Sequence, residues 1–173
     1  MNLASFIRDI PDFPKPGIVF KDITPLLLDA GALDAAVSGL ADWARPLSVD
    51  FVVAAEARGF ILGAAVAREL GVGFVPARKP GKLPGETVSA EYILEYGVDA
   101  LEMHADALRG GARVLLHDDL LATGGTAQAL VDLVQGRGAV VAGFGFLVEL
   151  AFLGGRSKLA PYDVHTLIAY DAE

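Results

Sequence analysis

Apolar positions follow two rhythms along this chain. Asp50-Phe-Val-Val-Ala-Ala55 and Gly71-Val-Gly-Phe-Val-Pro-Ala77 are short, nearly unbroken apolar runs, the pattern of parallel strands covered on both faces. A helical pattern from Phe60 to Leu70 separates them, so residues 50–77 predict a strand–helix–strand unit. The apolar run Val114–Leu116 and the stretch Ala139–Glu149 predict two more buried strands. Between them a helical pattern runs from Ala127 to Gln135 and stops at Gly136, and Val164–Tyr170 adds a terminal strand. Residues 26–44 place Leu26, Leu33, Val37, Leu40 and Trp43 at helical spacing and predict one helix, with Trp43 in the core or at a dimer contact. Residues 1–9 predict a short amphipathic helix. Ile10–Gly17, with three prolines and a glycine, predicts an extended hood, and Ile18–Pro25 a segment partly buried against the core.

Residues 87–104 alternate strictly instead. Thr87–Tyr96 and Val98–His104 predict a hairpin arm turning at Gly97, with Val88, Ala90, Tyr92 and Leu94 facing Leu101 and Met103, and with Glu91, Glu95 and Glu102 outward. Gly81, Gly85 and Gly97 are candidate hinges, so about 79–104 reads as a lid. No linker or repeat divides the chain. The expectation is a single domain over 1–173 of the α/β class, with a mostly parallel central sheet flanked by helices.

One stretch carries most of the chemistry. After Val114–Leu116 come His117, the adjacent acids Asp118 and Asp119, and then Ala122-Thr-Gly-Gly-Thr126 at the head of a predicted helix. Glycines let a backbone turn tightly and aim its N–H groups at one spot, and a helix N-terminus adds positive partial charge there. Thr123 and Thr126 add hydroxyl donors, which completes a phosphate cradle. The acids would repel phosphate. They suit hydroxyls such as a ribose diol, or a hard divalent cation. The same spacing also suits a plain strand-to-helix turn with solvated acids. A nucleotide-binding loop of the Gly-x-x-x-x-Gly-Lys type is excluded because no Lys follows the second glycine.

Composition narrows the choices. A net charge of −8 argues against a general nucleic-acid binder and means that an anionic substrate needs local cations. Arg78, Lys79 and Lys82 form such a cluster, and Arg58 sits just past a predicted strand end, where open α/β sheets bind ligands. Arg58 also has Glu56 as a candidate ion-pair partner. Cysteine is absent, which excludes thiolate chemistry and fits the cytoplasm. No apolar run is long enough to span a membrane, and the first residues lack a secretory leader. The histidines suggest no metal site. His104 reads as surface and His117 as a strand residue at the site's edge.

The run Val-Leu-Leu-His-Asp-Asp-Leu-Leu-Ala-Thr-Gly-Gly-Thr resembles the phosphoribosyl-pyrophosphate (PRPP) motif of type I phosphoribosyltransferases, and most of all that of the adenine-specific branch. Further similar segments extend from Phe13 to Pro161. The resemblance implies transfer of ribose 5-phosphate from PRPP to adenine, giving AMP and pyrophosphate, in a homodimer. It implies that Ala122–Thr126 (Ala122, Thr123, Gly124, Gly125, Thr126) holds the ribose phosphate and that Asp118 and Asp119 serve the diol. Arg58, Arg78, Lys79 and Lys82 would meet the pyrophosphate, Arg78 from the neighbouring subunit. Phe20 and Leu150 would sandwich adenine in a hood built from about 10–25 and 149–161, with the backbone of Val19 and Lys21 reading its edge. Glu95, in Leu-Glu-Tyr-Gly, would be the acid/base. Mg2+ would enter mainly with PRPP, with Asp118 and Asp119 as candidate ligands. The alternatives are a transferase for another base, such as xanthine or orotate, or a purine-sensing regulator of the same fold. The regulator is disfavoured because no helix-turn-helix appendage is visible.

Overall fold

The computed structural model describes residues 1–94 and 97–172. Its centre is a five-stranded, wholly parallel sheet in which Gly73–Ala77, Phe51–Ala55, Arg113–Leu121, Val140–Leu150 and Val164–Tyr170 lie side by side in that order. The strands are β3 (Phe51–Ala55), β4 (Gly73–Ala77), β7 (Arg113–Leu121), β8 (Val140–Leu150) and β9 (Val164–Tyr170). Their apolar runs pack on both faces, as the pattern required. On one face α2 (Ala30–Ala44) and α3 (Gly59–Leu70) cover Val52 and Leu115, with Leu40 and Val66 between them. On the other face α4 (Gly125–Gly136) and a two-stranded arm, β5 (Thr87–Leu94) with β6 (Gly97–His104), cover Val53, Leu116 and Phe144.

The chain leaves β3 in one direction to form β4 and later returns on its other side as β7. The order therefore reverses between β3 and β7, and ligand crevices open at the carboxyl ends of strands at such points. Arg58 follows β3, and the acidic pair lies near the end of β7.

Several local expectations change. The first nine residues form a short 3-10 turn, Leu3–Phe6, capped by the Asn2 side chain, and then a strand, β1 (Arg8–Ile10). β1 pairs antiparallel with β2 (Phe20–Asp22), placing Arg8 opposite Asp22 and Asp9 opposite Lys21. Both couples are ion pairs, at 2.6 and 2.9 Å. This cross-strand charge matching is long-range, so helical periodicity could not report it. The proline-rich stretch between the strands bends back on itself, with the Phe13 amide donating to the Ile18 carbonyl at 3.2 Å.

The helix expected over 26–44 is two helices, α1 (Thr24–Leu28) and α2. Asp29 is extended between them, and its carboxylate accepts from the Ala32 amide at 2.8 Å, a helix cap. β7 does not stop at Leu116. It runs through both acids to Leu121, because β8 is long enough to continue the ladder as far as Leu121 opposite Glu149. Gly97 is not the turn but the first residue of β6, paired with Leu94. Residues 95–96, and with them the expected acid/base Glu95, lie outside the described residues.

The arm's alternation holds at Val88, Ala90, Tyr92, Leu101 and Met103, whereas the Leu94 side chain lies outside what is described. Tyr92, Leu101 and Met103 are buried, whereas Ile93 and Val98, paired across the tip, are exposed.

Candidate active site

A cleft of about 220 Å³ opens at the reversal point, lined by Arg58, Asp118, Asp119, the Ala122–Thr126 loop and Phe146. Gly124 takes a left-handed conformation (φ 84°) as the residue before α4, which only a glycine enters without strain. Gly125 then begins the helix, so the first unpaired amides of α4 face the loop. The strand end, the acids and the helix start thus converge on one concavity.

Asp119 is buried, and Arg58 Nε lies 2.9 Å from its Oδ2. The approach is off the line that a hydrogen bond needs. Asp119 Oδ2 and Arg58 Nη1 are therefore both buried without a hydrogen-bond partner. The pair is held by charge, and Arg58 Nη1 keeps an unused donor beside the cleft. Asp118 Oδ1 accepts from the Asp119 amide at 2.8 Å. α3 approaches it so closely that a Cβ on Gly59 would stand 2.9 Å from that oxygen. Burial, then the charge of Asp119, pushes the Asp118 carboxyl well above its usual range. Burial also raises Asp119, against the opposing pull of Arg58. Both carboxyls are therefore harder to ionise than free ones, and added positive charge in the cleft would favour their charged forms.

Three comparisons bear on this geometry. The model of the phosphoribosyl transferase domain family matches residues 27–166. The adenine phosphoribosyltransferase of Kosmotoga olearia is 55% identical over 170 residues, covering 98% of this chain and all of that protein. The chain belongs to the adenine phosphoribosyltransferase family. The crystal structure of the family member from Thermoanaerobacter pseudethanolicus matches with a TM-score of 0.95 at 55% identity, over 97% of this chain and 98% of that one. The Saccharomyces cerevisiae enzyme, solved with an imino-altritol bisphosphate and adenine, matches with a TM-score of 0.89 at 40% identity, over 95% and 96% of the two chains.

The other expected adenine phosphoribosyltransferase residues fall into two groups. Phe20 stands beside the cleft, with the Arg58 guanidinium 4.7 Å from its ring centroid and Phe13 edge-on at 5.1 Å. Lys21 is buried, its ammonium paired with Asp9 and 4.3 Å from the Tyr170 ring centroid, which leaves its backbone on the hood strand. Val19 precedes that strand, and Leu150 ends β8, half-buried.

The pyrophosphate candidates are partly engaged elsewhere. Arg58 does not pair with Glu56. Glu56 instead accepts from Arg78 at 3.2 Å and from the Lys79 amide at 2.6 Å. The Lys79 ammonium is held by Asp99 and by the Tyr92 hydroxyl on the arm. Lys82 is exposed, and Arg78 donates to its carbonyl at 3.3 Å.

His117 is not at the site's edge but fully buried, hydrogen-bonded through Nδ1 to the Gly145 carbonyl at 2.8 Å. Burial pushes its pKa down to about 4, so it is a neutral strut between β7 and β8. His104 does reach the surface, as expected, within 2.9 Å of the Pro84 carbonyl.

The structure adds Gly59 and Gly155, which pack against the acids and the loop and which periodicity did not single out. A glycine directly after Arg58 and the Gly154-Gly155 pair were the available signals.

The described residues contain no cluster of three acids or histidines able to hold a metal alone. The adjacent carboxylates Asp118 and Asp119 in the cleft lining do fit a Mg2+ that brings its remaining oxygen ligands on a substrate, since that ion commonly takes one or two carboxylates beside phosphates.

Proposed function

We propose that this chain transfers the 5-phosphoribosyl group of PRPP to N9 of adenine, releasing pyrophosphate and forming AMP. The observation that carries the reading is the convergence in one cleft of a helix-capped glycine loop, an acidic pair and the Arg58 guanidinium paired with Asp119. In this proposal Ala122–Thr126 seats the 5-phosphate through backbone amides and the hydroxyls of Thr123 and Thr126. Asp118 and Asp119 hold the ribose diol and offset the positive charge that grows at C1 as the bond to pyrophosphate breaks. Arg58 receives the departing pyrophosphate, with Arg78, Lys79 and Lys82 as further contacts, Arg78 reaching the neighbouring subunit of a homodimer. Asp118 and Asp119 would hold a Mg2+ arriving with PRPP, which would supply neutralising charge for the leaving group.

The hood, about 10–25 with 149–161, holds adenine between Phe20 and Leu150 and reads its edge with the backbone of Val19 and Lys21. The 4.7 Å approach of the Arg58 guanidinium to the Phe20 ring supports this seat for the base. Glu95 handles the proton on the imidazole side of the base, and the arm over 79–104 acts as the lid. Purine salvage in the cytoplasm is the setting this chemistry fits. Among the described residues no helix is long and apolar enough to cross a membrane.

The test is AMP formation from PRPP with adenine, hypoxanthine, guanine and xanthine in parallel. A buried mismatch costs roughly 1–3 kcal/mol per unpaired group, so a 6-oxo base with two reversed partners should be rejected by several powers of ten. Comparable kcat/KM for hypoxanthine and adenine would sink the assignment. Phe20→Ala should raise the adenine KM and affect PRPP less.

A further inference from the structure

We propose that Arg156 is a positioning residue for the phosphate loop, acting through Gly155; the inference rests on the reading of Ala122–Thr126 as the seat of the sugar phosphate. Gly155 is pressed against the back of that loop. A Cβ on it would stand 2.2 Å from the Ala122 carbonyl oxygen and 3.0 Å from the Gly124 nitrogen, and a Cβ on Gly124 would stand 2.9 Å from the Gly155 carbonyl oxygen. Backbone lies against backbone, so the loop has no room on that side unless Gly155 retreats.

The next residue prevents that retreat. Arg156 makes a two-pronged pair with the buried Glu149, Nε to Oε1 at 2.9 Å and Nη2 to Oε2 at 2.5 Å. It also donates to the Val164 carbonyl at 2.7 Å and to the Thr166 hydroxyl at 3.2 Å. Thr166 closes the ring by donating to Glu149 Oε2 at 3.1 Å. Glu149 is itself in register with Leu121, the residue before the loop. One guanidinium therefore ties β8, β9 and the Gly155 turn to the strand from which the loop springs. A bidentate guanidinium fixes direction as well as distance, which an ammonium does not. Leu150 remains in the ladder opposite Tyr170, so the base side keeps its own support.

The experiment uses the full chain and two readouts. Ribose 5-phosphate is titrated by calorimetry, and the adenine KM is measured at saturating PRPP. In Arg156→Lys and Gly155→Ala the affinity for ribose 5-phosphate should fall about tenfold, the scale of one impaired hydrogen bond to a charged phosphate. The adenine KM should rise clearly less than the ribose 5-phosphate affinity falls, because Phe20 lies on a separate strand and Leu150 keeps its ladder partner Tyr170, a split that a general loss of structure would not produce. Thr166→Val, which removes one spoke of the ring, should lose about twofold in the same direction. Unchanged ribose 5-phosphate affinity in folded Arg156→Lys overturns the proposal, as do equal losses for both ligands. If Arg156→Lys does not fold, unchanged affinity in Thr166→Val overturns it instead. A wild-type protein that does not bind ribose 5-phosphate overturns the phosphate reading and the clamp together, whereas binding that survives in all variants overturns the clamp alone.

Discussion

Gly59→Ala tests the acidic pair without removing a functional group. Gly59 is the first residue of α3, and an added Cβ would sit 2.9 Å from Asp118 Oδ1 and 3.3 Å from the Asp118 Cα. The carboxyl must retreat by about 0.5 Å to restore ordinary van der Waals separation. Overpacking of this kind costs roughly 1–3 kcal/mol, less than the typical 5–15 kcal/mol stability of a domain, so the protein should remain folded. Activity should suffer more. A 1 Å misplacement costs on the order of a hundredfold in rate, so half of that should lower kcat about tenfold. The assay is the initial rate of AMP formation at saturating PRPP and adenine, with a thermal melt beside it. Gly136→Ala is the control: nothing lies within 4 Å of the Cβ added at that last residue of α4, and its rate should equal the wild type. A folded Gly59→Ala protein with wild-type kcat and KM would refute the idea that the position of the Asp118 carboxyl matters to the reaction. An equal loss in Gly136→Ala would expose the effect as general.

Three more expectations follow from the same geometry. Because burial and the Asp119 charge raise the Asp118 carboxyl above its ordinary 3.8, stability present below that pH is lost as pH rises through the folded-state value. Asp118→Asn should thus melt higher than the wild type at pH 7 without ligand and lose this advantage near pH 3, while turnover collapses; a lower melting temperature at pH 7 contradicts it. Lys21→Ala removes a buried stem, the Asp9 pair and the Tyr170 contact. It should cost roughly 1–3 kcal/mol in denaturant unfolding yet leave base preference intact, since the backbone at Lys21 remains; a switch toward hypoxanthine would oppose this. Asp99→Asn releases the Lys79 ammonium from its carboxylate, so the PRPP KM should fall by roughly two- to fivefold, the scale of a half-exposed ion pair. A PRPP KM that rises instead would mean that Lys79 serves the arm and not the substrate.

The sequence by itself determined the parallel sheet, the helix after the glycine loop and the identity of the acidic pair. Those features live in short windows: uninterrupted apolar runs such as Phe51–Ala55, a 3.6-residue rhythm, and a glycine pair at a helix start. Only the tertiary structure decided which charges neutralise which. Arg58 chose Asp119 over Glu56 two residues away, because β3 and β7 are neighbours in the sheet and Arg58 follows the end of one as Asp119 nears the end of the other. β7 ran on through the acids because the length of a ladder is set by its partner strand, and β8 extends to Leu150. The N-terminal strand exists because β2 lies beside it with matching charges. Gly155 acquired its meaning from a loop more than thirty residues earlier in the chain. Propensity and periodicity are local, whereas ion pairing, strand length and steric closeness depend on which segments the fold brings together, and no window along the chain contains that information.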